Sequence, residues 1–422
     1  MNTSLMTRPI ESVSSVAVQA TANNQRFAGK RIGMVVYSSY PYDPRPRRAI
    51  DALVAEGAFI DLICLGDDNA PKREVLNGID VYRVSLKHRR GGKFEYGFRY
   101  AAFILITSAL FAMRSMRRRY DLIYVHNMPD ILILSALVPK IFGAKAVLDL
   151  HDPMPELMMT IFGVSPESMT VRTLKRIEKW SIGRANLAIT VNVACKRIFS
   201  TRSCRLEKIA VVMNSPDERI FPFREAQPPV NQQSANKPFV IMYHGSLVER
   251  NGLDVAVDAI ERLRLRVPSA QLRIFGKTTP FLESTMESVR KRGLQDRVQF
   301  FGSRSLEKLV IEIDGCDLGV IPSHRNAFTE INTPTRIFEY LSRGKPVLAP
   351  STPGILDYFE KDSLLFFEPG NADELANQIE YASSHPREVS EIAHRAQKVF
   401  LEHTWEHERE MLLSRLSETV NS

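Results

Sequence analysis

The stretch TPTRIFEYLSRGKPVLAP, residues 333–350, is the most informative segment of this 422-residue chain. Thr333 is a typical helix cap, and Pro334 fits the first turn because the N–H that it lacks has no helical partner there. The helix is predicted to end near Gly344, and the apolar strand PVLA follows at once. A helix that leads directly into a buried strand is typical of a parallel sheet with crossover helices.

The same alternation occurs twice along the chain, with helix-length segments between the apolar runs. The predicted strands lie at 31–37, 59–65, 121–125, 145–150, 186–191 and 208–213, and then at 238–245, 271–276, 297–302, 316–322, 345–349 and 364–367. We therefore predict an α/β protein with two Rossmann-like domains that face a central cleft. In such sheets ligands bind beyond the carboxyl ends of the strands.

Composition predicts the domain boundaries. Residues 1–28 are rich in Ser, Thr, Asn and Gln and are predicted to form a disordered leader. An N-terminal domain at 29–220 precedes a polar linker at 221–238, which is rich in Pro, Gln and Asn. A C-terminal domain at 239–388 and an amphipathic helical segment at 389–422 complete the chain.

Charge and motifs narrow the classes of function. The net charge of +8 favours an anionic partner, such as nucleic acid, acidic lipid or a phosphorylated substrate. The four cysteines have no metal-ligand spacing, and the sequence lacks G-x-G-x-x-G after its first strand, G-x-x-x-x-G-K-[ST], G-x-S-x-G and H-E-x-x-H. Dehydrogenase, NTPase, hydrolase and zinc-protease functions therefore lack their expected residues.

One segment concentrates positive charge around an apolar run, Ala101–Met113, which is thirteen residues long and so shorter than the ~20 that span a bilayer. The flanking basic residues are Lys87, Arg89, Arg90, Lys93 and Arg99 before it, and Arg114, Arg117, Arg118 and Arg119 after it. This pattern predicts contact with an anionic membrane surface. The alternative is a buried crossover helix with solvated ends. Nucleic acid is not expected as a partner, because no RNA-binding aromatic motif or zinc-finger spacing is present.

Two segments of the second half are candidates for a phosphate and sugar site. The helix start beside Thr333 and Thr335 is able to hold a phosphate. Glu339 is able to accept hydrogen bonds from two hydroxyls of a ribose or sugar. In YHGSLVERNGLD, Gly245 permits close approach to a ligand, while Ser246 and Arg250 offer a hydroxyl and a positive charge. The alternatives are a capped helix with a surface glutamate and an ordinary loop.

The first half offers polar residues directly after its strands. His151 and Asp152 follow one strand, and His126 follows another. A neutral imidazole is able to donate to a sugar hydroxyl, although a lone histidine is more often an ordinary loop residue. Asp43 and Arg45 lie in the loop after the first strand, where the charged residues are otherwise expected to form a solvated face.

Taken together, the motifs PYDPRPRR, VHNMPD, LDLHDPMPE, VMNSPDERIF, MYHGSLVERNGLD and TPTRIFEYLSRGKPVLA carry a family resemblance. From about residue 31 to its end, the chain resembles bacterial glycosyltransferases of the GT-B fold, family four. It is most similar to the subgroup that builds exopolysaccharide, capsule or O-antigen repeats.

The resemblance implies roles for the candidate residues of the second half. Glu339 matches the glutamate that binds the donor ribose, and Thr333 and Thr335 match the phosphate-facing helix start. Gly245 and Ser246 match the diphosphate loop, while Gly302 lies where the nucleotide base is recognised. Arg250 is the expected substitute for two missing basic residues, because Ser246 stands where the family commonly has Arg and Asn251 where it commonly has Lys.

For the catalytic centre, the resemblance implies that His151 contacts the transferred sugar. The first glutamate of the family's E-x7-E motif would fall on Ile331, so Glu330, one position earlier, is the candidate for its role. Asp43, Arg45 and His126 are placed on the acceptor side. Such enzymes retain the anomeric configuration and generally need no metal and no cofactor.

The expected function is transfer of a sugar from a nucleotide-sugar donor to a lipid-linked or oligosaccharide acceptor. The expected location is the cytoplasm, at the inner face of the plasma membrane. Two alternatives stay open: a non-catalytic GT-B scaffold or binding subunit, and a sugar-nucleotide epimerase of the same fold.

Overall fold

The computed structural model describes residues 25–66, 70–86, 93–227 and 237–422, with the backbone alone for residues 93–96. Most of the predicted leader and the middle of the predicted linker lie outside the described residues. The predicted fold class is confirmed, because the described residues form two sheets with helices on both faces.

The first sheet has the strand order β3-β4-β2-β1-β5-β6-β7-β8. All its strands are parallel except β3, which pairs antiparallel with β4. The strands are β1 Arg31–Ser39, β2 Phe59–Leu65, β3 Arg73–Leu76, β4 Ile79–Val84, β5 Leu122–His126, β6 Lys145–Leu150, β7 Leu187–Thr190 and β8 Ile209–Val211.

The second sheet is parallel throughout and has the strand order β11-β10-β9-β12-β13-β14. Its strands are β9 Phe239–His244, β10 Ala270–Phe275, β11 Val298–Phe300, β12 Leu318–Val320, β13 Val347–Pro350 and β14 Leu365–Phe367. In both sheets the strand order reverses at the first strand, so the two switch points lie after β1 and after β9.

Helices cover both faces of each sheet. They are α1 Pro44–Ala55, α2 Lys93–Arg117, α3 Leu137–Ile141, α4 Met154–Phe162, α5 Met169–Arg184, α6 Val193–Arg202, α7 Leu253–Arg262, α8 Pro280–Lys291, α9 Leu306–Asp314, α10 Thr335–Ser342, α11 Pro353–Leu356, α12 Ala372–Ser384, α13 Pro386–Glu402 and α14 Trp405–Asn421.

Helix α2 contains the apolar run and is longer than that run, with 25 residues. By length and composition alone its part Gly97–Arg117 is able to cross a membrane. However, Phe103 and Phe111 are fully buried in the first domain, and a Cβ at Gly33 would lie 2.6 Å from the Phe111 ring. Gly33 therefore lets α2 pack closely on β1, as a layer of this domain.

The C-terminal helix returns to the first domain. Trp405, Leu412, Leu413 and Leu416 of α14 are buried in the same core cluster as Leu53 of α1. The chain therefore crosses between the domains twice, once near residue 221 and once near residue 403.

Three features differ from the sequence-based prediction. The β3–β4 hairpin was not predicted; its turn is Asn77-Gly78, and both residues have positive φ, 50° and 80°. Phe27, which was assigned to the leader, is 1% exposed and packs in the first core, so folded structure begins before residue 29. The alternative of a fully buried crossover helix is wrong for the apolar run, because α2 exposes one face.

Candidate active site

The two sheets place the carboxyl ends of their strands on either side of a cleft. A cavity of about 400 Å³ is lined from the first domain by Asp43, Arg45, Arg47, Arg48, His151 and Asp152 and from the second by Leu306, Thr335 and Glu339, among others. A second cavity of about 440 Å³ lies in the second domain. Glu339 and Leu306 line both, so the two cavities are continuous at these side chains.

A buried ion pair supports the wall of the first domain. The Arg45 Nη2 lies 2.7 Å from an oxygen of Asp149, and its Nε donates to both oxygens of that carboxylate. Tyr124 donates its hydroxyl to Asp149 at 2.9 Å. Although burial alone would raise the pKa of Asp149, the Arg45 guanidinium holds it at about 2. Arg45 is therefore engaged by this carboxylate rather than free for an acceptor.

Two histidines form the adjacent part of this wall. His126 Nδ1 and His151 Nε2 are 3.0 Å apart, so one of these nitrogens donates to the other. Burial, with a further contribution from Arg45, lowers the pKa of His126 to about 4 and that of His151 to about 3. Both rings are therefore neutral at physiological pH. His151 lines the cavity, whereas His126 is fully buried behind it.

Among the described residues, one cluster has the side chains of a metal site: His126, Asp149 and His151. Its carboxylate already accepts from Arg45 and Tyr124, and the Arg45 charge would repel a dication placed there. Arg45 and Tyr124 would therefore compete with a metal ion for this carboxylate.

Helix α10 presents its N-terminus to the cleft. Its first residue, Thr335, lines the first cavity, and Pro334 precedes it without a side-chain cap. The predicted cap at Thr333 is wrong, because its hydroxyl donates to Gly354 O at 2.7 Å and accepts from Asn192 of the first domain at 3.1 Å. Thr333 therefore ties the two domains together, and the first N–H groups of α10 are left for a ligand.

Glu339 lies one turn into α10, and burial raises the pKa of its carboxyl to about 7 although Arg336 and Arg48 lower it. The Nε2 of buried His244 lies 3.4 Å from Glu339 Oε2 and has no hydrogen-bond partner among the described residues. Burial lowers the pKa of His244 to about 3. A carboxyl and a neutral imidazole thus line the cavity with unused hydrogen-bonding capacity, which is typical of a binding site.

The loop after β9 forms another wall of the second cavity. Gly245 has φ +122°, a conformation that favours glycine, and Ser246 follows it at the cavity surface. Gly302 accepts a hydrogen bond from Gly276 N at 3.1 Å, and its neighbours Ser303 and Arg304 line the cavity. Of the predicted residues in these loops, Gly245 and Ser246 therefore line the second cavity, whereas Gly302 does not line it.

Five of the predicted site residues line neither cavity: His126, Arg250, Gly302, Glu330 and Thr333. Glu330 forms an ion pair with Arg325 at 2.6 Å and lines neither cavity. Ile331 packs against the core of the first domain. Arg250 also lines neither cavity and lies over the Phe328 ring, 5.7 Å from its centroid.

Four arginines that were not predicted as site residues line the cleft: Arg47 and Arg48 the first cavity, and Arg304 and Arg336 the second. Arg48 donates to Ser215 O and Asn214 Oδ1, and burial lowers its pKa to about 10. Arg336 lies three residues before Glu339 and lines the second cavity. Its position one helical turn from Glu339 is a signal that the sequence does contain.

We expect a substitution of Glu339 by Gln to stabilise the ligand-free protein at pH 8 more than at pH 4.5. Because the folded pKa of Glu339, about 7, exceeds its ordinary value, the folded protein keeps a proton that the unfolded chain releases. The stability from this carboxyl is present below its unfolded pKa and is lost as pH rises through about 7. Glutamine stays neutral, so at pH 8 the free energy of unfolding of the Glu339→Gln variant should exceed that of the wild type by about 1–3 kcal/mol. Urea unfolding at both pH values measures this, and an equal effect at both would contradict it.

Comparison with known families covers both domains. The Glycosyl transferase 4-like domain matches residues 43–215, and Glycosyl transferases group 1 matches residues 225–399. The probable glycosyltransferase WbjE of Pseudomonas aeruginosa is 21% identical over 57% of this chain and 60% of its own length. The putative colanic acid biosynthesis glycosyltransferase WcaL of Escherichia coli K12 is 25% identical over 44% and 45%. The match thus spans less than two thirds of these curated relatives.

Solved structures agree over nearly the whole chain. Sucrose-phosphate synthase of Thermosynechococcus elongatus superposes with a TM-score of 0.71 at 18% identity, over 92% of this chain and 98% of that one. HepE of Anabaena, solved in complex with UDP, superposes with a TM-score of 0.67 at 19% identity, over 92% and 100%. With family matches in both halves and this architecture, the chain belongs to the glycosyltransferases and has the GT-B fold.

Proposed function

We propose that this protein transfers a sugar from a nucleoside-diphosphate sugar to a hydroxyl of a lipid-linked or oligosaccharide acceptor, in the synthesis of a cell-surface polysaccharide. The observation that carries the proposal is the place of Glu339. This carboxyl lies at the junction of the two cavities, beside the open N-terminus of α10 and opposite His151 of the first domain. In HepE, a structural neighbour, the corresponding fold was solved with UDP and with UDP-glucose.

The donor would bind mainly to the second domain. Its ribose hydroxyls would donate to Glu339, and its diphosphate would lie over Gly245 and the first turn of α10, where N–H groups and the helix dipole favour negative charge. The base would then lie toward Ser303 and Arg304, at the far end of the cavity.

In the transfer, the bond between the anomeric carbon and the β-phosphate oxygen breaks, and its electron pair stays on the departing nucleoside diphosphate. The acceptor hydroxyl oxygen forms the new bond to that carbon, and its proton passes to the departing phosphate oxygen. With both oxygens on one face, the configuration is retained. His151, neutral at physiological pH, would contact the transferred sugar as an uncharged hydrogen-bonding group. No metal or cofactor takes part in this proposal.

The acceptor side is proposed to face the cytoplasmic leaflet of the plasma membrane through α2. Phe98, Leu105 and Met116 are 74%, 70% and 66% exposed, and their spacing places them on one side of the helix. Phe103 and Phe111 lie on the opposite, buried side. An exposed apolar stripe of this length is typical of a helix that lies in a lipid interface.

Fewer of the basic residues around this stripe are available to an anionic membrane surface than the sequence predicts. Arg114 is 3.8 Å from Asp61 and lies against the Tyr82 ring, so it is engaged within the domain. Arg117 and Arg119, at the end of α2, are exposed. Lys87, Arg89 and Arg90 lie outside the described residues, as does the side chain of Lys93.

We expect the double substitution Leu105→Gln and Met116→Gln to release the protein from vesicles of phosphatidylglycerol and phosphatidylethanolamine, with transfer to a water-soluble acceptor retained. Each exposed apolar side chain that enters the lipid contributes about 1.5–3 kcal/mol, so losing two should lower binding by about tenfold or more. Vesicle flotation measures this.

The matched control is Leu265→Gln with Ile311→Gln, two exposed apolar residues of the second domain, 89% and 70% exposed. This control should bind vesicles like the wild type. If the wild type ignores these vesicles at low salt, or if the α2 variant changes only self-association in sedimentation, the membrane proposal is wrong.

The proposed donor is tested by thermal unfolding with UDP, GDP, ADP and dTDP, each compared with its nucleoside. A ligand that binds only the folded protein adds about 2.7 kcal/mol of stability at a hundredfold excess over its dissociation constant. A scaffold with a degraded site would show no stabilisation. An epimerase would convert one nucleotide sugar into another without transferring the sugar to an acceptor.

A further inference from the structure

We propose that Arg336 supplies the positive charge that holds the donor diphosphate, in place of the basic residues that Ser246 and Asn251 do not provide. This inference rests on the proposed function, and it names the residue that determines affinity for the phosphate part of the donor.

The position of Arg336 is fixed by three contacts with the end of β9 and its loop. Its Nη1 donates to His244 O at 2.8 Å, and its guanidinium carbon lies 4.8 Å from the centre of the Tyr243 ring. Its side chain also covers Gly245: a Cβ at that glycine would lie 3.2 Å from Arg336 Cδ. The guanidinium is therefore held against the glycine that a diphosphate would approach.

Arg336 lacks a counter-ion. Within the part of the chain that the structure describes, no carboxylate oxygen lies within 4 Å of its nitrogens, whereas Arg304, Arg325 and Arg343 each pair with a carboxylate. Glu339, one helical turn away, also forms no ion pair with it among the described residues, although the Arg336 charge lowers the pKa of that carboxyl. A partly buried cation without an anionic partner gains more from a bound anion than one that is already paired.

The surroundings of Arg336 also suit a phosphate. Lys277 lines the same cavity and has no carboxylate within 4 Å among the described residues, and His244 presents its unpartnered Nε2 nearby. Two other residues of the loop offer no positive charge to a phosphate: Ser246 is neutral, and the Asn251 side chain donates to Ser246 O at 2.7 Å. Arg250 lines neither cavity, and its charge lowers the pKa of Asp152 against the effect of burial.

Calorimetric titration of the full chain with UDP and with uridine tests this assignment. Because Arg336 would form charge-assisted hydrogen bonds to phosphate, we expect Arg336→Gln to weaken UDP binding by about tenfold to a hundredfold. Uridine binding should stay within about twofold of the wild-type value. The UDP affinity of Arg336→Lys should lie between those of the wild type and Arg336→Gln, because lysine keeps the charge and loses the paired donors of the guanidinium. Arg290→Gln, which removes an exposed charge from the last turn of α8, should bind UDP like the wild type.

A rescue variant separates charge from structure. In Arg336→Gln, the additional substitution Ser246→Arg restores a cation beside Gly245 and should recover most of the lost UDP affinity. If Arg336→Gln weakens UDP and uridine equally, or if the rescue fails in a protein with wild-type thermal stability, the role is structural and the inference is wrong. If the wild type binds none of UDP, GDP, ADP and dTDP, the proposed function fails instead.

Discussion

Replacing Glu339 by alanine is expected to weaken the binding of uridine and of UDP alike by at least about tenfold, and to reduce sugar transfer by at least about a hundredfold. Each hydrogen bond from a ribose hydroxyl to a charged acceptor contributes about 1.5–3 kcal/mol, and this carboxyl is placed to accept two. The loss with uridine distinguishes Glu339 from Arg336, whose effect needs the phosphates. Titration calorimetry and donor kinetics measure the two effects.

The matched control for this variant is Glu283→Ala, which removes an exposed carboxylate from the first turn of α8. It should bind and turn over the donor like the wild type. A folded Glu339→Ala protein with unchanged uridine affinity would remove this residue from the site and would leave the two cavities without a ribose contact.

The second large effect is expected at His151. His151→Ala should lower kcat by about a hundredfold while raising the donor KM by less than about threefold, because its contact with the transferred sugar strengthens as the glycosyl bond breaks. Since burial lowers the pKa of His151 to about 3, the rate should show no ionisation of this residue between pH 5 and pH 8. Steady-state kinetics across this pH range measure both.

His385→Ala is the corresponding control, since that histidine is exposed at the end of α12 and distant in sequence from the cleft strands. It should leave kcat unchanged. A His151→Ala enzyme with a near-normal kcat would show that this histidine supports the loop after β6 and takes no part in transfer.

The fold was predictable because its strands are continuous apolar runs. Both faces of these parallel strands are covered by helices, so RIGMVVY and FVIMYH contain hardly any polar residue and stand out in the sequence. The β3–β4 hairpin was missed because β3 alternates between exposed and half-buried residues and β4 between buried and half-buried ones, so neither is a continuous apolar run. The dipeptide Asn77-Gly78 was the available signal, since it is typical of a two-residue hairpin turn.

The residues that line the site were predictable where local sequence determines their place, and not where distant partners do. Gly245 and Glu339 follow from a strand end and a helical turn. The sequence does not show that Asn192 of the other domain engages Thr333, or that Arg325 pairs with Glu330. Nor does it show that Arg336 lacks a counter-ion, because pairing is a property of the folded chain.

The C-terminal helix is a further case of this kind. Its amphipathic pattern predicts a helix but not the domain on which it packs. In the structure Trp405 lies under Arg48, 5.1 Å from its guanidinium carbon, and so helps to hold that arginine at the cleft. A helix that follows the second domain in the sequence thus completes the wall of the first domain.

Transfer of sugar from a nucleotide donor by this cleft is measured most directly with a labelled-donor assay. The wild type and Glu339→Ala would be incubated with UDP-, GDP-, ADP- and dTDP-sugars carrying labelled sugar, together with a bacterial membrane lipid extract, and label in the lipid phase would be counted. At least one donor should label the lipid with the wild type, with equimolar release of its nucleoside diphosphate, and Glu339→Ala should reduce this label at least about a hundredfold. Equal labelling by the two proteins, or a wild type that binds and consumes none of these donors, would contradict the proposed transfer.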